Sequence, residues 1–361
     1  MNKVIFGGGF DPIHLGHINM ALMARDLLSA EVIFVPAKVA IWKQESIDAT
    51  HKLEMVKLAT KDYNGFSIDT FELDSKEQPY SYQTINYFLK KWPKDRFYLL
   101  IGQDQVNSFH LWKKAEEIAS LVQIVYFKRP KLEINLENVN KYHMQELDGR
   151  EMEISSTDIR ELQSVLVPEK VLKYIEENEL YFINKIKPRI NEKRYYHSLS
   201  VAHLAYEIAK KHNLDYSKAY IAGVLHDIAK GVDKNESLSL MKQYYPDDVE
   251  IGSFAYHQFL GEKIAKDEFK VVDEEILNAI KYHTTGRANM CWLEKLIYAC
   301  DKVDPLRGYD SSEMIGALNE DLERGFLTVL SANKEFLMSK NSSMDNRLTN
   351  ECLSYYLDQK I

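Results

Sequence analysis

Hydrophobic positions along the chain follow two different rhythms. Up to about Phe182, short apolar runs rich in β-branched and aromatic residues alternate with segments of helical period. The runs at 4–6, 32–35, 66–73, 97–101 and 121–127 predict strands, and segments such as 52–60 and 113–120 predict the helices between them. Strand and helix in turn is the pattern of a doubly wound, Rossmann-like α/β domain with a parallel sheet. After Lys185-Ile186-Lys187-Pro188 the strand signal stops. Residues 196–212, 217–226, 254–266, 274–284, 292–300 and a long tail all carry the helical period. The expected organisation is an α/β domain over 1–185 and an all-α domain over 188–361, with the boundary near Pro188. The polar stretch 341–346 predicts a turn between helices of the tail.

Composition narrows the class of partner. The 361 residues give room for two cored domains, and 45% hydrophobic with 28% charged residues is ordinary globular composition. A net charge of −8 argues against a nucleic-acid surface and in favour of small anions held by local cations. Cys291, Cys300 and Cys352 form no C-x-x-C pair, as expected of a reducing compartment. No apolar run approaches the ~18 residues of a membrane span, and the N-terminus enters a strand with no secretory pattern. A cytoplasmic protein with neither nucleic acid nor membrane as partner is expected.

The first candidate site follows the first strand, in the segment GGGFDPIHLGH. Gly7, Gly8 and Gly9 allow a ligand close to the backbone, and the helix start near Gly16 offers unpaired N–H groups at the positive end of a dipole. His14 and His17, three positions apart, can turn the same way toward one phosphate. The spacing fits neither the dinucleotide fingerprint nor the Walker loop. A second phosphate contact is expected at Ser155-Ser156-Thr157-Asp158-Ile159-Arg160, where hydroxyls at a helix start and a guanidinium can meet an anion.

Together these motifs resemble the nicotinate-nucleotide adenylyltransferase family over residues 1–183. Phe34-Val35-Pro36-Ala37 with Trp42-Lys43-Gln44, and His51-Lys52-Leu53-Glu54-Met55 after them, are similar to the family's segment with a phosphate-reaching lysine. Tyr80-Ser81-Tyr82-Gln83-Thr84 resembles its nicotinate-carboxylate loop, Ile101-Gly102-Gln103-Asp104 its ribose-facing turn, and Trp112 the aromatic near the pyridine. The resemblance implies adenylyl transfer from ATP, with Mg2+, to nicotinate mononucleotide, giving deamido-NAD and pyrophosphate. It implies His14 and His17 on the α- and β-phosphate oxygens and Lys43 and Arg160 on the phosphates. Gly7, Gly8, Gly9 and Phe10 would then flank the α-phosphate, with Ser155, Ser156 and Thr157 beside them, and Thr84 and Trp112 would choose the pyridine. Three positions depart from the family: Gly9 stands where Ser or Thr is usual, Ile41 interrupts a proline-rich approach to Lys43, and Lys52 replaces an arginine. Related adenylyl- and cytidylyltransferases share the histidine pair, and nicotinamide mononucleotide is the nearest competing acceptor.

The helical half holds a second constellation. His226-Asp227 ends an apolar helix, with His197 upstream and His257, His283 and Asp301 downstream. Imidazoles with carboxylates suit Mn, Fe, Zn or similar divalent ions, and a carboxylate can bridge two of them. A His-Asp dipeptide alone is more often a buried helix end. The ordered set H…HD…H…H…D, however, resembles the HD phosphohydrolase superfamily. Tyr195-Tyr196-His197-Ser198-Leu199, the segment from Ala222 to Lys230, His257 with Gly261, Tyr282-His283-Thr284-Thr285-Gly286-Arg287 and Asp301-Lys302-Val303-Asp304-Pro305-Leu306-Arg307 resemble bacterial HD-type symmetrical diadenosine tetraphosphate hydrolases over 188–355. That likeness implies a dinuclear centre, iron by preference with Mn, Zn or Co as alternatives, cutting diadenosine tetraphosphate into two ADP. Paired metals would acidify water and clamp the attacked phosphate. Lys230 and Arg287 are the expected partners of polyphosphate charge, and Thr284 and Thr285 the expected hydroxyl donors. His203 and His212 fall outside the pattern. The expected protein is a bifunctional enzyme. The alternatives make the helical half a nucleotide-binding regulatory module, an oligomerisation platform, which leaves a homo-oligomer open, or a phosphohydrolase for other nucleotides.

Overall fold

The computed structural model describes residues 1–38, 47–129, 132–150, 152–339 and 346–358. Ile41, Lys43 and nearly all of the 341–346 turn lie outside the described residues. Two compact units emerge, one of residues 1–160 with 166–178 and one of 161–165 with 179–361.

The first unit is built on a sheet of β1 (Asn2–Gly8), β2 (Ala30–Pro36), β3 (Phe66–Ile68), β4 (Arg96–Ile101), β5 (Gln123–Lys128) and β6 (Gln145–Arg150). The strands are all parallel and run in the order β3-β2-β1-β4-β5-β6. Val4, Ile5 and Phe6 are each no more than 4% exposed, so this central strand reads as an unbroken apolar run rather than an alternating one. The chain leaves β1 toward β2 and β3, then returns to β4 on the opposite edge of β1. The loops after β1 and β4 therefore diverge and open a crevice at the carboxyl ends of the strands.

Two strand expectations need correction. The run 66–73 is not one strand: β3 ends at Ile68, and the short helix Phe71–Asp74 follows. Asp69 makes the break, because its carboxylate accepts the Phe71 N–H at 3.0 Å and turns the backbone locally. The sheet also has a sixth strand, β6, that hydrophobic pattern could not reveal. Its sequence QELDGR is polar because it lies at the sheet edge, with Leu147 its buried apolar anchor.

The second unit is helical, with no strand among its described residues. Its site-bearing helices are Glu192–Lys211, Tyr216–Leu225, Tyr256–Asp267, Glu274–Tyr282 and Trp292–Val303, followed by Leu322–Ser339 and Arg347–Leu357. Gly223 lets the first two of these cross closely, since a Cβ there would stand 2.6 Å from the Ala202 Cα. That crossing fixes the distance between His197 and His226. Among the described residues, no helix is long and apolar enough to cross a membrane.

Candidate functional site

Each unit has its own site. In the first, residues at the carboxyl ends of β1, β4, β5 and β6 converge on a cavity of about 310 Å3. Gly7, Gly8, Gly9 and Phe10 come from the loop after β1, Gly102 and Asp104 from the loop after β4, and Arg129 from the end of β5. Gly7 is open to this space, with nothing within 4 Å of where a Cβ would stand, while Gly8 backs onto the Phe10 ring.

His14 caps the helix Leu15–Leu28 and His17 lies in its first turn, their ring centroids 3.7 Å apart. The His17 Nδ1 accepts the His14 backbone N–H at 3.2 Å, so the neutral ring carries its proton on Nε2. Burial, and then the neighbouring His14, hold the His17 pKa well below the ordinary histidine value. For His14, burial first and the Arg129 charge second lower the pKa from 6.5 to about 3. Both imidazoles are neutral donors near pH 7. The His14 Nδ1 is buried without a hydrogen-bond partner, an orphaned polar atom at the edge of an anion-sized space.

A pH dependence follows from His14. Its folded pKa lies below the ordinary value, so the unfolded chain takes up the proton first as pH falls below 6.5. Stability owed to a neutral His14 is intact above about pH 7 and is lost progressively as the pH drops from 6.5 toward 3. Thermal unfolding of the wild type is expected to weaken between pH 7.5 and 5 more steeply than that of His14→Gln. Parallel curves would remove His14 as the cause.

The second phosphate motif lies beside the cavity but is used differently from the expectation. Ser155, Ser156 and Thr157 line it. Ser155 nevertheless donates its hydroxyl to Asp158 at 2.7 Å, and Ser156 donates to the Pro12 carbonyl at 2.9 Å. Arg160 donates to the Asp11 carbonyl at 2.6 Å and to Thr157 Oγ1 at 2.9 Å, and it is not among the lining residues. It braces the FDP turn, whereas Arg129 is the guanidinium in the lining. A second, larger cavity of about 1070 Å3 shares Gly7, Gly8, Gly9 and Asp104 with the first and is lined by Thr84 and Trp112. The Thr84 hydroxyl donates to Glu72 at 2.7 Å, leaving its lone pairs rather than its proton toward a ligand. Lys52 is fully buried and donates to the carbonyls of Ala37 and Lys38 at 3.0 and 2.8 Å, bracing the chain that leads into 39–46.

In the second unit, His197, His226, Asp227, His257, His283 and Asp301 are brought together, all at most 8% exposed. Asp227 joins two clusters. Its Oδ1 is 3.4 Å from His257 Nε2 and 3.5 Å from His283 Nε2, which are themselves 3.1 Å apart. Its Oδ2 is 3.6 Å from His226 Nε2 and 3.9 Å from His197 Nε2. Asp301 Oδ1 closes the second cluster, 3.1 Å from His197 Nε2 and 3.6 Å from His226 Nε2.

Three of the outward nitrogens, those of His197, His226 and His283, are tied. His226 Nδ1 donates to the Gly223 carbonyl at 2.7 Å and His283 Nδ1 to that of Ile280 at 2.8 Å. His197 Nδ1 meets Asp304 Oδ2 at 2.5 Å, and Asp304 also accepts the Ser200 hydroxyl and the Leu306 N–H. These partners orient each Nε2 inward, as an outer shell does around a metal ligand. The Thr284 hydroxyl, 3.0 Å from both facing Nε2 atoms, can donate to only one of them, and His226 Nε2 is buried without a hydrogen bond, an arrangement that suits a cation. Three-ligand sets His197–His226–Asp227 and Asp227–His257–His283 have the spacing to hold a metal ion. Burial alone would raise the Asp227 pKa, but His226, His283 and His257 hold it well below the usual carboxylate range. Asp304→Asn is expected to lower metal affinity about 10–100-fold, read by metal titration. Unchanged affinity would separate His197 from the metal.

The cations around this cluster differ from the expectation. Lys230 and Thr284 line a cavity of about 320 Å3 over the site, with Arg194, Lys302 and Arg307. Arg194 donates to Asp227 Oδ2 at 2.6 Å and Arg307 to Asp301 Oδ1 at 2.5 Å. Arg287 instead grips buried Glu294 with Nε and Nη2, at 2.6 and 3.1 Å, and is not in the lining. Thr285 is buried against Gln258 and is likewise absent from the lining, so it supports the turn. Among functional positions, sequence pattern passed over Arg129, Glu72 and Arg194, which have no motif of their own.

Comparison with known proteins agrees with two distinct units. A cytidylyltransferase-like family model matches residues 5–162, and an HD domain model matches residues 194–306. The chain is 30% identical over 342 residues to the "Probable nicotinate-nucleotide adenylyltransferase/Ap4A hydrolase" of Mycoplasma genitalium, covering 91% of this chain and 96% of that one. The like-named protein of Mycoplasma pneumoniae is 27% identical over 338 residues, covering 91% and 97%. The nicotinate-nucleotide adenylyltransferase of Bacillus subtilis is 34% identical over 194 residues, covering half of this chain and 99% of its own length.

Proposed function

Since the chain belongs to the two-domain family of these nicotinate-nucleotide adenylyltransferase/Ap4A hydrolase relatives, we propose that it carries out both reactions named there. The front half, 1–185, transfers the adenylyl group of ATP to nicotinate mononucleotide, giving deamido-NAD and pyrophosphate for NAD biosynthesis. The back half, 188–361, hydrolyses diadenosine tetraphosphate to two ADP. The compartment in this reading is the cytoplasm, which three cysteines with no C-x-x-C pair suit.

The observation that carries the first reading is the close pair of neutral imidazoles beside the glycine loop and a helix N-terminus. In the transfer, a phosphate oxygen of the mononucleotide forms a bond to the α-phosphorus as the bond to the β-bridging oxygen breaks. Positioning and charge stabilisation supply most of the catalysis. His17 donates from Nε2 to phosphate oxygen, His14 lies beside it, and Arg129 adds positive charge. Arg160 acts through the FDP turn that it braces, and Mg2+ accompanies the triphosphate. Gly102, Asp104, Thr84 and Trp112 line the space for ribose and pyridine.

The observation that carries the second reading is that the two oxygens of Asp227 belong to different imidazole clusters. His197, His226, Asp227 and Asp301 would hold one divalent ion, and Asp227, His257 and His283 the other, with iron favoured. Bound there, the ions supply Lewis acidity toward phosphate oxygens and toward water near neutral pH. Lys230, Arg194 and Arg307 face the phosphate chain, and Thr284 lines the same cavity with its hydroxyl 3.0 Å from both His257 Nε2 and His283 Nε2.

One preparation tests both halves. ATP with nicotinate mononucleotide should yield deamido-NAD faster than nicotinamide mononucleotide yields NAD. Metal-replete protein should release only ADP from diadenosine tetraphosphate. Equal use of the two mononucleotides would overturn the acceptor. Intact tetraphosphate would overturn the hydrolase and leave the helical half a binding module.

A further inference from the structure

The cavity over the imidazole cluster has a lining divided by charge. Its cations, Arg194, Lys230, Lys302 and Arg307, all come from the stretch between 194 and 307. Asn333, Leu337 and Thr349 complete it from the helices Leu322–Ser339 and Arg347–Leu357, beyond the HD match at 194–306, and Phe254 adds an aromatic ring. A phosphate chain has no use for a leucine and a phenylalanine. Resting on the hydrolase reading above, the geometry points to a nucleoside subsite formed by these four residues, which takes the base of one adenine nucleotide while the cations take its phosphates.

The polar members are held for recognition. Asn333 Nδ2 donates to the Tyr298 hydroxyl at 2.9 Å, and Tyr298 is 1% exposed with the Lys302 ammonium 3.8 Å from its ring centre. One N–H of the amide is spent there. The other N–H and Oδ1 form a donor–acceptor edge, the complement of the edge that adenine presents. Thr349 is 7% exposed, its Oγ1 accepting from Asn346 Nδ2 at 3.0 Å and its N–H donating to Asn346 Oδ1 at 3.0 Å. A hydroxyl that accepts in this way keeps its proton for another acceptor. Leu337 and Phe254 supply apolar surface for the face of a base. The cavity volume of about 320 Å3 is at the small end of ligand pockets, so it suits one nucleotide and leaves the second half of a dinucleotide outside.

The test compares ligands with and without a nucleoside on the full, metal-loaded chain. Diadenosine tetraphosphate is the substrate, and ADP and pyrophosphate are competitive inhibitors of its hydrolysis. Leu337→Ala, and Asn333→Ala combined with Tyr298→Phe so that no buried hydroxyl is orphaned, should each raise the KM of the substrate and the Ki of ADP about tenfold. The Ki of pyrophosphate and the metal content should stay within about twofold of wild type. Unchanged ADP inhibition, or equal weakening of ADP and pyrophosphate, would overturn the subsite. Were the loaded wild type to leave the tetraphosphate intact, the hydrolase reading alone would fall. The same variants would then be judged by the increment of ADP binding that appears on metal loading.

Discussion

Asp227→Ala is expected to empty the second unit of divalent metal and to cut hydrolysis of diadenosine tetraphosphate at least about a thousandfold, while adenylyl transfer stays at the wild-type rate. No other side chain in the cluster offers atoms to both imidazole pairs: Oδ1 lies 3.4 and 3.5 Å from His257 and His283, and Oδ2 lies 3.6 Å from His226. Removing it leaves His257 and His283 with no carboxylate between them. It also strands the Arg194 guanidinium, now 2.6 Å from Oδ2, as a positive charge facing any incoming cation. Asp227→Asn keeps the shape and removes the charge, so it should also lose metal but unfold at nearly the temperature of the metal-free wild type. Metal analysis, ADP release and deamido-NAD formation measured on one preparation check the claim. Hydrolysis above about a tenth of wild type in the alanine variant, with metal retained, would end the bridging role.

The fold was legible where burial made the pattern simple. Val4, Ile5 and Phe6 read as a central parallel strand because both faces of β1 are covered, whereas β6 stayed hidden because an edge strand can be polar and still pair. At the sites, residue types were legible and directions were not. The sequence brought Arg160 and Arg287 forward as phosphate partners, yet one braces the Asp11 carbonyl and the other grips Glu294. Arg129, which has no motif around it, and Arg194, one position before the Tyr195–Leu199 motif, line the cavities instead. A long cationic side chain settles on whichever partner the fold places within reach, and that partner here is often distant in sequence. The same holds for hydroxyls: Thr84 lies in the helix Ser81–Lys91 and not in the expected loop, and its hydroxyl donates to Glu72. The helices after residue 306 had no motif at all, and only tertiary packing places Asn333 and Thr349 beside the cluster.

His17→Ala is expected to lower the kcat of adenylyl transfer about a hundredfold to a thousandfold, the effect of removing one preorganised donor from charge that develops in a transition state. Alanine removes two things at once, the Nε2 donor and the Nδ1 acceptor that holds the His14 N–H at 3.2 Å. His17→Gln separates them. Glutamine at the third helical position can reach back to the capping N–H, as a capping box does, but it offers no imidazole edge to the phosphate. The glutamine variant should therefore unfold like the wild type and still lose most of its turnover, with its KM for ATP changed less than its kcat. Diadenosine tetraphosphate hydrolysis, measured on the same sample, should stay at the wild-type rate. Near-normal transfer by the glutamine variant would reduce His17 to a helix cap and shift the catalytic burden to His14 and Arg129.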